Sequence, residues 1–243
     1  MVDIHSHILP AVDDGAENVI QSLEMARISL ECGVTDVVAT SHFRGDGEEP
    51  EMLALFYERF RLLENALKQE RIPLRLHLGA EVLCTHETIQ LARNRQLPTI
   101  SNTDYVLCEF FFDVPYDYMN EILDAIAGAG YRPVIAHPER YGAVQKEPRL
   151  VVQWFRRGYV IQVNKGSVLG AFGGRVQETA RWLLEMGFVH IIASDAHSPH
   201  RRTTDMSRLY RWLRERYPED YARLLLEENP GRLIRGEAMA PVR

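Results

Sequence analysis

Gly187-Phe188-Val189-His190-Ile191-Ile192-Ala193-Ser194-Asp195-Ala196-His197 decides the fold class, because it joins a helix stop, a short apolar run and a polar ending. The glycine follows an amphipathic stretch and sits where a helix C′ residue in the left-handed conformation is expected. Ile191-Ile192-Ala193 is brief, β-branched and not alternating, as befits a strand covered on both faces. The same order recurs at Gly33-Val34 before Val37-Val38-Ala39-Thr40-Ser41-His42, and at Gly130-Tyr131 before Val134-Ile135-Ala136-His137. A further copy runs from Gly158-Tyr159 into Val160-Ile161-Gln162-Val163-Asn164.

Three more strands are read at 2–7, 74–82 and 105–111. Helical patterns occupy 17–32, 51–69, 86–94, 117–129, 148–157, 175–186 and 203–216, with a short last one at 219–227. In 51–69 the residues Leu53, Phe56, Phe60, Leu63 and Leu67 make one apolar stripe. Strands alternating with helices imply right-handed crossovers and a parallel sheet. Local pattern alone does not separate an open doubly wound sheet from a closed barrel. The polar endings do, since a barrel gathers the C-terminal ends of all its strands around one mouth. A seven-stranded α/β barrel is therefore expected, and with no linker or low-complexity stretch, 1–243 should form a single domain.

The chain has 243 residues with 28 Lys and Arg against 34 Asp and Glu, a formal charge of −6 that argues against a general nucleic-acid binder. At 46% hydrophobic and 26% charged it is neither disordered nor collagen-like. No apolar run of about 18 residues occurs, and Met1-Val2-Asp3-Ile4-His5 lacks a basic and apolar leader. Neither membrane insertion nor a signal peptide is expected. Cys32, Cys84 and Cys108 are odd in number and lack CxxC spacing, which suits reduced thiols in a cytoplasm.

His5 and His7 alternate with Ile4 and Ser6, so both imidazoles leave an extended strand on one face and can grip one ion. Alone, that pair also reads as two surface histidines. Asp195-Ala196-His197 repeats the spacing at another strand end. Glu81, Glu109, His137 and His42 each close an apolar run. A carboxylate there is costly unless paired, hydrogen-bonded or bound to a cation, and for any one Glu a salt bridge would suffice. With Asp14 the candidates are His5, His7, Asp14, His42, Glu81, Glu109, His137, Asp195 and His197. So many N and O ligands exceed what one ion takes and suit two or three. A structural zinc site is disfavoured without a Cys pattern, and manganese, iron and zinc are not ranked by this mixed set. Multi-ion sites of this kind activate water and clamp an in-line phosphoryl displacement. Arg140 and Arg202 could reach the same mouth as bidentate phosphate forks, although Arg201-Arg202 also reads as a solvated pair. The combination points to phosphoester hydrolysis.

On these residues the chain resembles the PHP (polymerase and histidinol phosphatase) superfamily, and within it the bacterial capsule-type protein tyrosine phosphatases of the CpsB/YwqE kind. The matching stretches are Asp3-Ile4-His5-Ser6-His7-Ile8-Leu9-Pro10, Val12-Asp13-Asp14-Gly15-Ala16, Ala39-Thr40-Ser41-His42 and Gly79-Ala80-Glu81-Val82. They continue through Ala136-His137-Pro138-Glu139-Arg140-Tyr141, Gln162-Val163-Asn164-Lys165-Gly166-Ser167 and Ala193-Ser194-Asp195-Ala196-His197, in the family's order. The resemblance implies a distorted (β/α)7 TIM-like barrel of PHP type holding three divalent ions, with manganese commonly supporting activity. Carried over by position, His5, His7, Glu81 and Asp195 look like ligands of a first metal. Glu81 would bridge to a second, completed by Glu109 and His137, while Asp14, His42 and His197 look like a third set. Asp13 rivals Asp14, and Arg201 rivals Arg202.

The resemblance further implies that a metal-activated hydroxide attacks phosphorus while Arg140 and Arg202 hold the phosphate and a phenolate leaves. His200 could protonate a leaving group, against its reading as an exposed loop histidine. Two departures from the family stand out: Phe43-Arg44-Gly45-Asp46-Gly47 follows His42 where a second histidine is usual, and Thr203-Thr204-Asp205-Met206 lacks the usual prolines. The implied substrate is a phosphotyrosine protein, the tail of a bacterial tyrosine autokinase controlling capsule and exopolysaccharide synthesis. That places the protein in the cytoplasm, recruited by the kinase to the inner membrane face, with homo-oligomerisation left open. Rival readings are a small-metabolite phosphatase such as a histidinol phosphatase, an amidohydrolase-type hydrolase, and a non-catalytic metal-stabilised binding module.

Overall fold

The structure, a computed structural model, describes residues 1–47 and 49–242. Its strands are β1 (Val2–Ser6), β2 (Asp36–Ala39), β3 (His42–Arg44), β4 (Arg75–Leu78), β5 (Glu81–Leu83), β6 (Tyr105–Glu109), β7 (Arg132–Ala136), β8 (Val160–Asn164) and β9 (Ile191–Ala193). Every ladder is parallel. β1-β2-β4 form one sheet and β3-β5-β6-β7-β8-β9 the other. The expected second and third strands are each broken in two, at Thr40-Ser41 and at Gly79-Ala80, so the strands occupy seven positions around the sheet.

Closure runs through β1. Ser6 bridges to Ala196, the Asp195 N–H donates to His5 O at 2.9 Å, and the His7 N–H donates to Ala196 O at 2.8 Å. Opposite, β4 has no ladder to β6; the short 3-10 turn Ile100–Asn102 packs between them and buries Ile100 fully. The sheet is thus a distorted (β/α)7 barrel, open along one lower seam and plugged there by a side chain.

Two apolar shells follow from strand alternation. The inner one stacks Ile4, Val38, Leu107, Val134, Ala136, Ile191 and Ala193, with Leu233 inserted from the last helix. An outer shell joins the other strand faces to the helices. The four glycines expected to stop helices, Gly33, Gly130, Gly158 and Gly187, have φ of 85°, 86°, 79° and 70°. Helix boundaries differ from expectation at three places, one of them 219–227, which divides into an α-helix, Glu219–Arg223, and a π-helix, Leu224–Glu228. The 148–157 pattern divides into a 3-10 turn, Pro148–Leu150, and a helix, Val151–Arg156. The 203–216 pattern becomes helical only at Ser207, because the buried Lys165 ammonium donates to the Thr203 and Asp205 carbonyls and holds that loop open.

The C-terminal segment packs rather than frays. Asn229 donates to His190 O at 3.1 Å, Tyr105 donates to Glu237 O at 2.8 Å, and Leu233 is fully buried at the foot of the barrel. No helix among the described residues is long and apolar enough to cross a membrane. Leu233→Ala should therefore cost roughly 2–5 kcal/mol in urea unfolding, the range of a buried leucine truncation, even though Leu233 lies at the end of the barrel opposite the polar strand endings.

Candidate active site

All nine candidate ligands meet at the C-terminal mouth of the barrel. Among the described residues, every group of three or more convergent ligand-type side chains is drawn from these nine. The groups overlap: His7, Asp14, His42 and His197; His5, His7 and Glu81; His5, His137 and Asp195; His42, Glu81 and Glu109. Seven of them line a cavity of about 180 Å³ together with Phe112, Arg140 and Arg202, while His5 and His7 lie buried beneath it.

The strand irregularities aim these side chains. Ile4 faces the inner shell, so strict alternation would send His5 and His7 outward. The pairing of β1 with β2 shifts register between Asp3 and Ser6, an irregularity of the kind that re-aims side chains beside active sites. His42 and Glu81 begin the upper half-strands and are register partners. Glu109 ends β6 in phase with Leu107. His137 and Asp195 are out of ordinary extended geometry, with φ of 34° and 51°, a left-handed conformation that non-glycine residues adopt at a cost.

Glu81 is the hub. Its Oε2 lies 3.2 Å from His5 Nε2, His7 Nε2 and His42 Nδ1, and its Oε1 lies 2.8 Å from His137 Nε2. Asp195 Oδ1 is 3.5 Å from His5 Nε2 and 3.6 Å from His197 Nδ1. Asp14 Oδ1 stands 3.4 Å from His42 Nε2 and 3.5 Å from His197 Nε2. Glu109 is 3.4 Å from His42 Nδ1 and 3.6 Å from His137 Nε2.

Charge compensation is strong because the site is dry. Burial opposes ionisation of Glu81, yet His5 and His137 hold its carboxyl well below the usual range. Burial likewise opposes ionised Asp195, but His5, His137 and Arg202 together outweigh it and bring it to about 2. The reciprocal effect lifts His5 to about 9 against burial, through Glu81 and Asp195. His197 goes the other way, to about 4, through burial and the nearby His7. The carboxylates are thus ionised at neutral pH, and protons on the imidazoles compete with any cation.

The residues fit a divalent cation cluster. His5 Nε2, His7 Nε2 and His137 Nδ1 are buried without a hydrogen-bond partner. The opposite nitrogens of the first two are engaged: His5 Nδ1 donates to Gln162 Oε1 at 3.0 Å and His7 Nδ1 to Asp13 Oδ2 at 2.8 Å. That points each Nε2 at Glu81, where a cation can replace its proton, and a hydrogen bond on the far nitrogen is what orients a metal-binding histidine. Neighbouring aspartates are divided by this geometry. Asp13 also accepts the backbone N–H of Gly15 and His42 at 3.0 Å, whereas Asp14 faces the cavity.

Arg140 Nη1 lies 3.6 Å from Asp195 Oδ2, and Arg202 pairs with the same oxygen while donating to His197 Nε2 at 3.1 Å. Arg201 and His200 are exposed and lie outside the cavity lining. Sequence reasoning missed the supporting set. Gln162 donates to Asn164 Oδ1 at 2.8 Å, Asn164 donates to Asp195, and its backbone N–H donates to Glu139 at 2.9 Å. The Gln162-Val163-Asn164 alternation carried that signal; nothing local marked Phe112.

A family model for capsular polysaccharide synthesis, CpsB/CapC, matches residues 1–235. Tyrosine-protein phosphatase YwqE of Bacillus subtilis is 34% identical over 239 residues, 98% of this chain and 93% of that protein. A chain from the crystal structures of YwqE from Bacillus subtilis and CpsB from Streptococcus pneumoniae, described there as unique metal-dependent tyrosine phosphatases, superposes with a TM-score of 0.87. It is 35% identical, with 100% of both chains covered. Histidinol phosphate phosphatase of Lactococcus lactis shares the fold alone, at a TM-score of 0.55 and 13% identity over 93% of this chain and 94% of that one.

Asp13→Asn should leave the fold intact and weaken divalent-cation binding about 10–100-fold, the usual effect of losing the carboxylate that holds a metal-binding histidine from behind. Calorimetric titration of metal-stripped protein with manganese reads this directly.

Proposed function

Because the chain belongs to the CpsB/CapC family, we propose that it is a metal-dependent protein tyrosine phosphatase hydrolysing phosphotyrosine phosphomonoesters. What carries the reading is one cavity in which imidazoles and carboxylates suited to several cations meet two guanidinium groups suited to a phosphate. His5, His7, Glu81 and Asp195 would hold a first divalent ion. Glu81 would be shared with a second, held by Glu109 and His137, and Asp14, His42 and His197 would hold a third. His7 stands within reach of both the first and third sets. Mixed N and O donors suit manganese, with iron and zinc as alternatives.

When bound, the cations supply a nucleophile from water at neutral pH and offset phosphoryl charge. The chain's own residues do the rest. Arg140 and Arg202 fork onto the phosphate oxygens and exchange their contacts with Asp195 for contacts with substrate. Asp13 and Gln162 hold His7 and His5 in the tautomer that presents Nε2. A tyrosine phenolate, with a pKa near 10, leaves far more readily than an alkoxide. That suits a cavity from which His200 is absent.

We read 1–243 as one PHP-type catalytic domain acting in the cytoplasm. Its substrate would be the phosphotyrosine tail of a bacterial tyrosine kinase that controls capsule or exopolysaccharide assembly, to which it is recruited at the membrane face. The family description, capsular polysaccharide synthesis, supports the capsule context.

Metal-stripped protein should be inactive and regain turnover with manganese, preferring a phosphotyrosine peptide to histidinol phosphate in steady-state assays. Arg140→Ala should lower kcat/KM roughly 10²–10³-fold, as expected for a lost transition-state donor. Preference for histidinol phosphate would move the function to small-metabolite chemistry.

A further inference from the structure

Most large apolar side chains exposed among the described residues are scattered, but Phe111 and Phe112, 57% and 43% exposed, are adjacent: Phe112 lines the active-site cavity and Phe111 a separate groove with Arg44, Leu83 and Leu91. The loop holding them is anchored. Phe110 is buried, its backbone N–H donates to the Tyr141 hydroxyl at 3.2 Å, and the Gly142 N–H donates to Phe112 O at 2.7 Å. The Phe112 ring lines the cavity, its edge set against His137 with centroids 6.2 Å apart. One face carries the Arg140 guanidinium, 4.3 Å from the ring centroid. The same guanidinium also lies over Phe172, at 4.7 Å, and Phe172 in turn seats on Gly166, where a Cβ would come within 2.8 Å of the ring. Arg140 is therefore in contact with two aromatic rings, and Phe112 keeps free apolar surface at the mouth.

A charged floor beneath an aromatic rim is complementary to a ligand that is dianionic at one end and flat and apolar directly behind it. We propose that Phe112 is a specificity-determining residue that packs against the aromatic ring of an aryl phosphomonoester, selecting aryl over alkyl phosphates. An alkyl ester such as phosphoserine carries its phosphate one methylene from the polar backbone, so it sets polar groups rather than a ring against Phe112 and leaves that surface wet. The proposal rests on the phosphate-binding reading of this cavity and deepens it.

The test separates the two by using ligands that are not turned over. Metal-loaded wild type, Phe112→Ala and Phe112→Tyr are titrated calorimetrically with phenylphosphonate, ethylphosphonate and inorganic phosphate, with circular dichroism confirming the fold. Wild type should prefer phenyl- to ethylphosphonate by about tenfold or more, the scale of one good aromatic contact. Phe112→Ala should lose most of that preference, and Phe112→Tyr should restore it. In turnover, the Phe112→Ala loss should be larger for the phosphotyrosine peptide than for the matched phosphoserine peptide, and the difference should fall on KM more than kcat.

Equal weakening of all three ligands in Phe112→Ala would overturn the proposal, since the ring would then only brace Arg140. An unchanged phenyl preference would overturn it as well. A Phe112-dependent phenyl preference without any phosphotyrosine turnover would uphold the aryl contact and remove the phosphatase reading instead.

Discussion

The carboxylate of Glu81, buried and in contact with four imidazoles, is the interaction on which the rest of the site depends. An ionised carboxylate in so dry a place costs several kcal/mol unless it is compensated. His5, His7, His42 and His137 supply that compensation from three different strands, the first two from β1. Each imidazole is in turn fixed by a partner behind it or by an unusual backbone angle. Removing one member leaves the others with uncompensated charge, so the cluster stands or falls as a unit.

The barrel is deformed to make this possible. A regular strand would carry its side chains past the mouth in a fixed alternation. Here the second and third strands break at Thr40-Ser41 and Gly79-Ala80, and the upper halves restart with His42 and Glu81 in register. At the first strand a register shift turns His5 and His7 toward the same point. The cost appears below as a missing ladder between β4 and β6, filled by Ile100, and as left-handed His137 and Asp195 above. Two of the metal-ligand candidates thus carry backbone strain at the mouth, while the inner shell and the Leu233 plug keep the lower barrel packed.

The rim is as organised as the floor. Arg140 is in contact with both Phe112 and Phe172, and Lys165 secures the carbonyls just beyond Arg202. Long arginine side chains lose considerable rotamer entropy when they bind, and a guanidinium already packed against two rings loses less. The two phosphate-binding candidates thus belong to a prearranged clamp rather than to a pair of mobile surface charges.

Much of this was legible in the chain itself. The glycine, apolar run and polar ending recur at fixed order, so the parallel α/β class and the gathering of strand ends follow from local chemistry. His5, His7, Glu81, Glu109 and Asp195 announce themselves because a charged or ligating group at the end of a buried strand has few inexpensive fates. Sequence could not separate Asp13 from Asp14, or Arg201 from Arg202, since adjacent residues of one type differ only in where the loop turns them. It was also silent on Phe112, which only the tertiary fold brings to the cavity and sets against Arg140, 28 residues along the chain. Local chemistry marks which side chains are costly to bury and at which strand ends they fall. Which of them meet is a property of the folded barrel, because register shifts, left-handed backbone angles and barrel closure depend on contacts between distant segments that no local pattern encodes.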